Sequence, residues 1–495
     1  MSDYSSVNSI GQLNTAIEAA NGLVANSGTY TITLTVTNGA GGFASTSQQV
    51  TIAASTRQLI YVDPVHGNDS NNGSESAPIQ SLTQAMNMVG NNTELLLMAG
   101  QTYSVPATLH ILFTNVVIGR WGSGANPVLS KIVGNGVSTL NIFAGSNGVT
   151  VQNITFDSPY GVGANDVANK TGVSGVYIGG TNVAVRDCTF LNVDDAINEN
   201  GNPTGVLVED NTAPSTTGVR GYFDWVQGQE QTIVGNVVAN STREHIVRMV
   251  DWTNISIENN NFTNLSRQSV DPNDYSKGCI EMHVGSYAYV VGNDVTDGDI
   301  RTGPLGLWGE PTTDTTSWCV IEDNQLTDTF VLEEAGSQHT MIANNVFLED
   351  TGGTAITIAG ENSQGMESSD VTITNNTAVT KGSNGQFLNV TGPATSIVMT
   401  NNLWVAPNVT LGSDGNVAVN DANAGLSDFT EIGDNVWPDS NGGSVTEVGS
   451  AYLTSQQWNA LPQVQTDVFN GVTLGNTYQA TVGSLNAGAD VSLAA

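Results

Sequence analysis

Ten stretches of this chain share one layout, and that repetition limits the possible folds more than any other feature. The clearest copy is ISIENNNFTNL, residues 255–265. With Asn260 as position zero, Ile255 and Ile257 stand at −5 and −3 and Phe262 at +2. The same frame fits zeros at 154, 188, 211, 236, 260, 293, 324, 345, 376 and 402, at intervals of 21 to 34 residues. Periods of this size mark a solenoid whose coils stack. Period-2 alternation within each copy marks a strand with one buried face. Asn fills position zero in eight of the ten copies, at Asn211, Asn236, Asn260, Asn293, Asn324, Asn345, Asn376 and Asn402. Stacked strands lie about 4.8 Å apart, and at that spacing carboxamides can hydrogen-bond up the stack as a ladder. Asn also tolerates the left-handed backbone of a sharp corner. Asn260 is therefore read as a corner residue, with its apolar neighbours pointing into the bore.

Composition agrees with an all-β chain rich in turns. Of 495 residues, 12% are charged and 55 are Gly. The net charge of −34, with only 12 Lys and Arg, opposes binding to nucleic acid or acidic membranes. An acidic substrate would need a local basic patch or a bound cation. No run of 18 apolar residues suggests a transmembrane helix. No basic-then-apolar leader follows Met1, so secretion would need a leader already removed or a route that uses none. Cys188, Cys279 and Cys319 fall in different columns of the repeat and are expected as buried free thiols.

The repeat resembles the right-handed parallel β-helix of the pectate-lyase-like superfamily. Residues 60–89, IYVDPVHGNDSNNGSESAPIQSLTQAMNMV, followed by TELLLMAGQTYSV, resemble the opening strand, turn and capping helix of such proteins. The stretch from Tyr452 resembles their closing segment. The expected fold is all-β: a right-handed parallel β-helix over 57–440 with a C-terminal capping segment over 441–495. Residues 1–56 are expected as an N-terminal helix, SIGQLNTAIEAANGLVA, and a strand pair, YTITLTVTNGAGGFASTSQQVTI, that resembles the last strands of a PKD-type module.

A solenoid lets columns be read across coils. Aligned on zeros 211, 236, 260 and 293, position −12 holds Glu199, Asp224, Arg248 and Glu281, and position −16 holds Asp195, Arg220, Glu244 and Lys277. The flanking Phe223 and Trp225, Val247 and Met249, and Ile280 and Met282 are read as bore residues. The two columns are then expected to face solvent. Six of the 12 basic residues (Arg220, Arg243, Arg248, Arg267, Lys277, Arg301) fall within 220–301, with His245 and His283 and the aromatic residues Tyr222, Trp225, Trp252, Tyr275, Tyr287, Tyr289 and Trp308 nearby. One reading is a pair of alternating-charge ladders, each opposite-charge contact contributing about 0.2–1 kcal/mol.

The other reading is a site for β-elimination on a uronate polymer. That reaction needs a cation to neutralise the sugar carboxylate, a base to take the adjacent proton, and a donor for the leaving oxygen. Glu199, Asp224 and Glu281 are the candidate Ca²⁺ ligands, since Ca²⁺ takes carboxylate oxygens. Arg248, Lys277 and His283 are candidate bases, and Tyr222 and His245 candidate donors. Arg220, Arg243, Trp252, Arg267 and Trp308 are candidate contacts to substrate. Residues 277–309 resemble the segment of chondroitinase-B-like alginate lyases that carries a catalytic arginine before a glycine. His283 stands where that arginine would be, Gly285 is retained, and the partner lysine aligns near Asp251, with no lysine nearby. VDDAINEN, with Asp194 and Asp195, resembles the paired aspartates of polygalacturonase-type hydrolases, whose Gly-His-Gly and Arg-x-Lys marks are absent. DPVHGNDSNNG offers Asp63, Asp69 and Asn71 either to Ca²⁺ or to a capping turn. The resemblances imply an extracellular or cell-surface bacterial protein that acts on an acidic polysaccharide. The alternatives are a non-catalytic adhesin or tailspike-like glycan binder, and a hydrolase with paired carboxylates.

Overall fold

The computed structural model describes residues 28–37, 43–52, 55–131, 138–158, 173–214, 219–241, 244–263, 278–303, 315–328, 330–333, 336–358, 366–412, 415–421, 426–438, 443–469, 477–482 and 485–492. The expected N-terminal helix lies outside these residues. Gly28–Thr37 and Phe43–Ile52 form an antiparallel pair, as the sequence suggests.

From Gln58 onward the strands stack in parallel as a right-handed β-helix with three sheets. The first sheet runs from Leu109–Ile111 to Ser444–Val448. The second runs from Gln58–Val62 to Phe429–Gly433, and the third from Thr102–Val105 to Val468–Phe469. Two long strands, Asp224–Val234 and Val247–Glu258, belong to the first sheet at their starts and to the second at their ends. Those coils carry the candidate site.

The corner between the second and third sheets holds the ladder. All eight expected asparagines stack: each carboxamide donates to the Oδ1 of the next, at 2.9–3.1 Å. That Oδ1 also accepts the lower residue's backbone N–H, at 2.9–3.0 Å. The column continues to Asn435 and ends on Asp467, whose other oxygen accepts from Trp437 and Trp458, each at 2.9 Å. These last two rungs went unnoticed in the repeat. Every carboxamide of the ladder is thus satisfied. The left-handed residue is the one before the ladder position, not the ladder residue itself. Asn153, Asp187, Asp210, Gly235, Asn259, Gly292, Asp323, Asn344, Asn375, Asn401 and Asp434 all have φ between 51° and 68°. In ENNNF, then, Asn259 makes the turn, Asn260 builds the ladder, and Asn261 opens the next strand.

Ile255, Ile257 and Phe262 are buried in the bore as their spacing predicts, and the three cysteines are free and buried. At the first coil, helix Leu82–Met86 buries Leu82 and Ala85. At the other end Ala451–Thr454 pairs antiparallel with Ser444–Val448, which shields that edge of the first sheet.

Candidate functional site

The site is set by a one-residue irregularity. Val226 pairs with Met249, yet Gly228 pairs with Trp252, so Val247–Glu258 carries one extra residue where the chain passes from the first sheet to the second. Counting back from the ladder asparagine therefore slips by one. Trp225, not Asp224, is level with Arg248, and the outward column reads Tyr177, Asn198, Trp225, Arg248, Glu281, Arg301. Asp224 stands in the bore between Ile197 and Val247, and Glu199 is likewise fully buried. A one-residue slip exchanges faces. The expected outer ladder of Glu199, Asp224, Arg248 and Glu281 is thus corrected to its last two members. The second ladder is corrected as well: the Ala196 N–H bonds the Tyr222 carbonyl, so Asp195 is level with Tyr222 rather than with Arg220. Glu199, Asp224 and Glu281 do not converge on one cation, because two point inward and one outward. Among the described residues no three His, Cys, Asp or Glu side chains form a metal cluster.

On the outer face Arg248 is half-buried, with its guanidinium 5.5 Å from the Trp225 ring and 6.0 Å from the Tyr222 ring. The two rings meet edge to face at 4.9 Å. Arg248 Nη1 donates to the Tyr222 hydroxyl at 3.1 Å. Tyr222 is held in place by its backbone N–H, which donates to Asp195 Oδ1 at 3.1 Å. Burial and then the Glu244 carboxylate, to which the phenol is hydrogen-bonded, push the Tyr222 hydroxyl well up, so it stays protonated. Burial opposes the charge on Arg248, but Tyr222, Glu281 and Glu244 more than offset this and raise its pKa.

One coil on, Glu281 lies between two histidines. His245 Nε2 faces its Oε2, and His283 Nε2 lies 2.8 Å from its Oε1. The partners fix the protons. The Gly278 N–H donates to His245 Nδ1 at 2.9 Å, so His245 is neutral and presents Nε2–H to the carboxylate. His283 Nδ1 lies 3.0 Å from the Gly303 carbonyl, which only accepts, so it carries a proton there. Burial alone would push the Glu281 carboxyl up; the two imidazoles hold it well below the usual range. Beyond it Arg301 pairs with Asp299 at 2.7 Å.

Trp252 is corrected from sugar platform to scaffold. It is 2% exposed, packs in the core, and donates from Nε1 to the His283 carbonyl. A Cβ on Gly285 would sit 2.3 Å from the Trp252 ring, which explains the glycine beside His283. Arg220 is half-buried two residues before Tyr222. Arg243, Arg267, Lys277 and Trp308 lie outside the described residues. Asp63 and Asp69 accept backbone N–H groups of Val65, His66, Gln80 and Ser81, so that loop is built as a capping turn.

The sequence reading missed three things here: the Glu244 partnership with Tyr222, the His–Glu–His cluster, and a stack of exposed rings. Tyr287 and Trp318 stack at 6.1 Å, and Trp318 and His339 at 4.1 Å. All three have φ between 56° and 65°, in a column whose other coils carry Asn92, Asn115 or Gly148. Bulky residues there cost backbone strain. The identical offset of these rings from the ladder in successive copies was the available cue.

The architecture defines the class: a right-handed parallel β-helix. A solved structure with this fold, the catalytic unit of a thermostable GH87 α-1,3-glucanase from Streptomyces thermodiastaticus strain HF3-3, is similar at a TM-score of 0.55 and 15% identity, covering 83% of this chain and 77% of that one. Pectate lyase Pel9A is similar at 0.44 and 14%, covering 88% and 96%. A PL6 alginate lyase in complex with a trisaccharide is similar at 0.42 and 13%, covering 87% and 92%. No family model and no curated protein sequence matches the chain. At these identities the likeness shows the fold alone. No helix among the described residues is long and apolar enough to cross a membrane.

Proposed function

We propose that the outer face around Tyr222 and Arg248 binds an acidic, uronate-containing polysaccharide outside the cell and cleaves it by β-elimination. The observation that carries this reading is the Arg248–Tyr222–Glu244 chain: a held cation, a phenol, and a carboxylate that shares the phenol's proton. Arg248 neutralises the sugar carboxylate, which acidifies the adjacent C–H. Tyr222 oxygen takes that proton as its own passes to Glu244. The electron pair forms the new double bond and expels the glycosidic oxygen, which recovers the proton through Tyr222. Trp225 presents an apolar face beside Arg248 for the sugar ring. The Glu281 cluster fixes the position of the neighbouring strand, and its ion pair keeps His283 from acting as a free base. A calcium ion among Glu199, Asp224 and Glu281 is not part of this reading, because their side chains lie on opposite faces of the sheet.

A non-catalytic glycan binder is the second reading. The burial of His245 and His283 against Glu281 favours it, because neither imidazole reaches the outer face as a free base. A panel of alginate, pectate, glucuronan, glycosaminoglycans and a neutral glucan separates the two. A lyase yields unsaturated uronates, read by ultraviolet absorbance, from an acidic member of the panel. Retention of a polymer in affinity electrophoresis with no such product leaves the binder. Arg248→Ala is expected to lower turnover by about 10²-fold or more while leaving the melting temperature almost unchanged, since the side chain is half-exposed.

A further inference from the structure

The exposed rings of the second sheet stand where the fold does not ask for them. Thr253, Ser286, Ser317, Gln338 and Ser369 pair in turn up the stack, so the residues that follow them share one column: Asn254, Tyr287, Trp318, His339 and Asp370. All five have φ between 56° and 65°. Asn tolerates this left-handed backbone, whereas a bulky ring there is strained. Burial does not offset the strain, because Tyr287 is 48% and Trp318 49% exposed. Tyr289, two residues beyond Tyr287 on the same strand, is 54% exposed.

The stack has one open end. At the far end His339 Nδ1 lies 3.2 Å from Asp370 Oδ2, which closes the column. In the coil before Tyr287 the column position is the small, exposed Asn254, so no ring of the column lies below Tyr287. Beside the rings runs a polar row, Ser286, Ser317 and Gln338, each partly exposed. The strands Gly285–Val291, Thr316–Glu322, Ser337–Ala343 and Ser368–Thr374 contain no Lys or Arg, and their only carboxylates are Glu322 and Asp370.

These features select a ligand. A pyranose presents C–H bonds on its face and hydroxyls at its rim. The C–H bonds suit the negative face of an aromatic ring, and the hydroxyls suit Ser and Gln side chains that both donate and accept. A uronate would meet carboxylates here with no counter-charge. A protein partner fits less well, because the cores of protein interfaces are depleted in Ser.

We propose that this column is a second glycan-binding surface, separate from Tyr222 and Arg248, that takes neutral pyranose units of a polysaccharide. One sugar stacks on the open face of Tyr287 above Asn254, with its hydroxyls toward Ser286, and the polymer continues along Trp318. Tyr287 follows Glu281 by six residues, at most about 20 Å of chain, so one polymer can lie on both surfaces. Binding at the rings needs neither a uronate nor cleavage.

The test is affinity electrophoresis through gels that contain a neutral β-glucan, a neutral α-glucan, xylan or galactomannan. Wild-type chain and the Tyr287→Asn/Trp318→Asn variant are compared, the variant carrying the residue that the column holds at Asn254. Wild type is expected to be retarded by at least one of these polymers. The variant is expected to bind that polymer about tenfold more weakly or worse, and to melt no lower than wild type, since Asn relieves the strained backbone. Wild-type chain that no neutral polymer retards overturns the proposal. So does equal retardation of the variant, which would leave the rings as scaffold. Self-association of wild type that the variant loses in sedimentation, without retardation by any neutral polymer, also overturns it and makes the column an interface between copies. If the double variant does not fold, Tyr287→Asn alone carries the same expectation. The neutral polymers contain no uronate, so failure of the proposed lyase activity leaves this test intact.

Discussion

Glu281 and Asp224 sit on opposite faces of one sheet, a few coils apart, and both are almost inaccessible, at 5% and 0% exposure. Burial treats them alike, yet their carboxyls move in opposite directions. Glu281 falls well below the usual range because His245 and His283 face it. Asp224 rises well above it because burial and then the Asp195 carboxylate push it up, and Glu199 rises through burial and then the Asp224 carboxylate. What separates the two environments is whether the neighbouring coil supplies a proton donor. A solenoid makes this a matter of register: the same repeat sets a carboxylate between two imidazoles on one face and buries two carboxyls near each other on the other.

The sharpest way to break this contrast is to remove the satisfied carboxylate. Glu281→Ala leaves His245 and His283 without the buried carboxylate that faces them, and should cost about 3–5 kcal/mol of stability in urea titration. A loss near zero would mean that this contact contributes nothing to stability. Next in size is the ladder, which is the satisfied counterpart of the bore pair. Asn324→Ala removes the acceptor for the Asn293 carboxamide and backbone N–H, and should cost about 1–3 kcal/mol. The opposite sign is expected for Glu199→Gln/Asp224→Asn, a gain of about 1–3 kcal/mol from removing buried carboxyls that can ionise.

The pH profile gives the gentlest test. Glu281 has a lowered folded pKa, so its contribution is present above the unfolded carboxylate value, near about 4.3, and is lost as pH falls through the lower folded value. Glu199 and Asp224 have raised folded pKa values. Their stabilising, protonated state is present below the unfolded value and is lost as pH rises toward the folded one. The chain should therefore melt at a lower temperature as pH climbs above the ordinary carboxylate range. The double variant should show a flatter alkaline limb, and Glu281→Gln a flatter acid limb.

How much of this was legible follows from the same register. The ladder spacing exposed the tube, because stacking forces like residues to recur and Asn at the corner is easy to see. The site was harder to read. A single extra residue at Val250–Asp251, between the segments that pair with Val226 and Gly228, moved Asp224 from the expected outer face to the bore, and a two-residue irregularity between Asn198 and Thr204 did the same for Glu199. No period of apolar residues reveals a one-residue irregularity when the columns on both sides still alternate. Trp252 misled for a related reason. It reads as an exposed ring until Gly285 on the next coil is seen to leave space for it. Arg248 was singled out because scarce positive charge stands out in so acidic a chain, while Glu244 was read only as a member of a charge ladder.

The measurement that bears most directly on the proposed centre is the turnover of Tyr222→Phe on an acidic polymer that the wild-type chain depolymerises. The ring, its packing on Trp225 and the Arg248 charge all remain, and only the proton-carrying oxygen is lost. A fall of about 10²–10⁴-fold in kcat, with polymer affinity within a few-fold of wild type, is the result expected if Tyr222 moves the proton. Wild-type turnover in that variant would contradict the account and remove the Arg248–Tyr222–Glu244 chain from the chemistry.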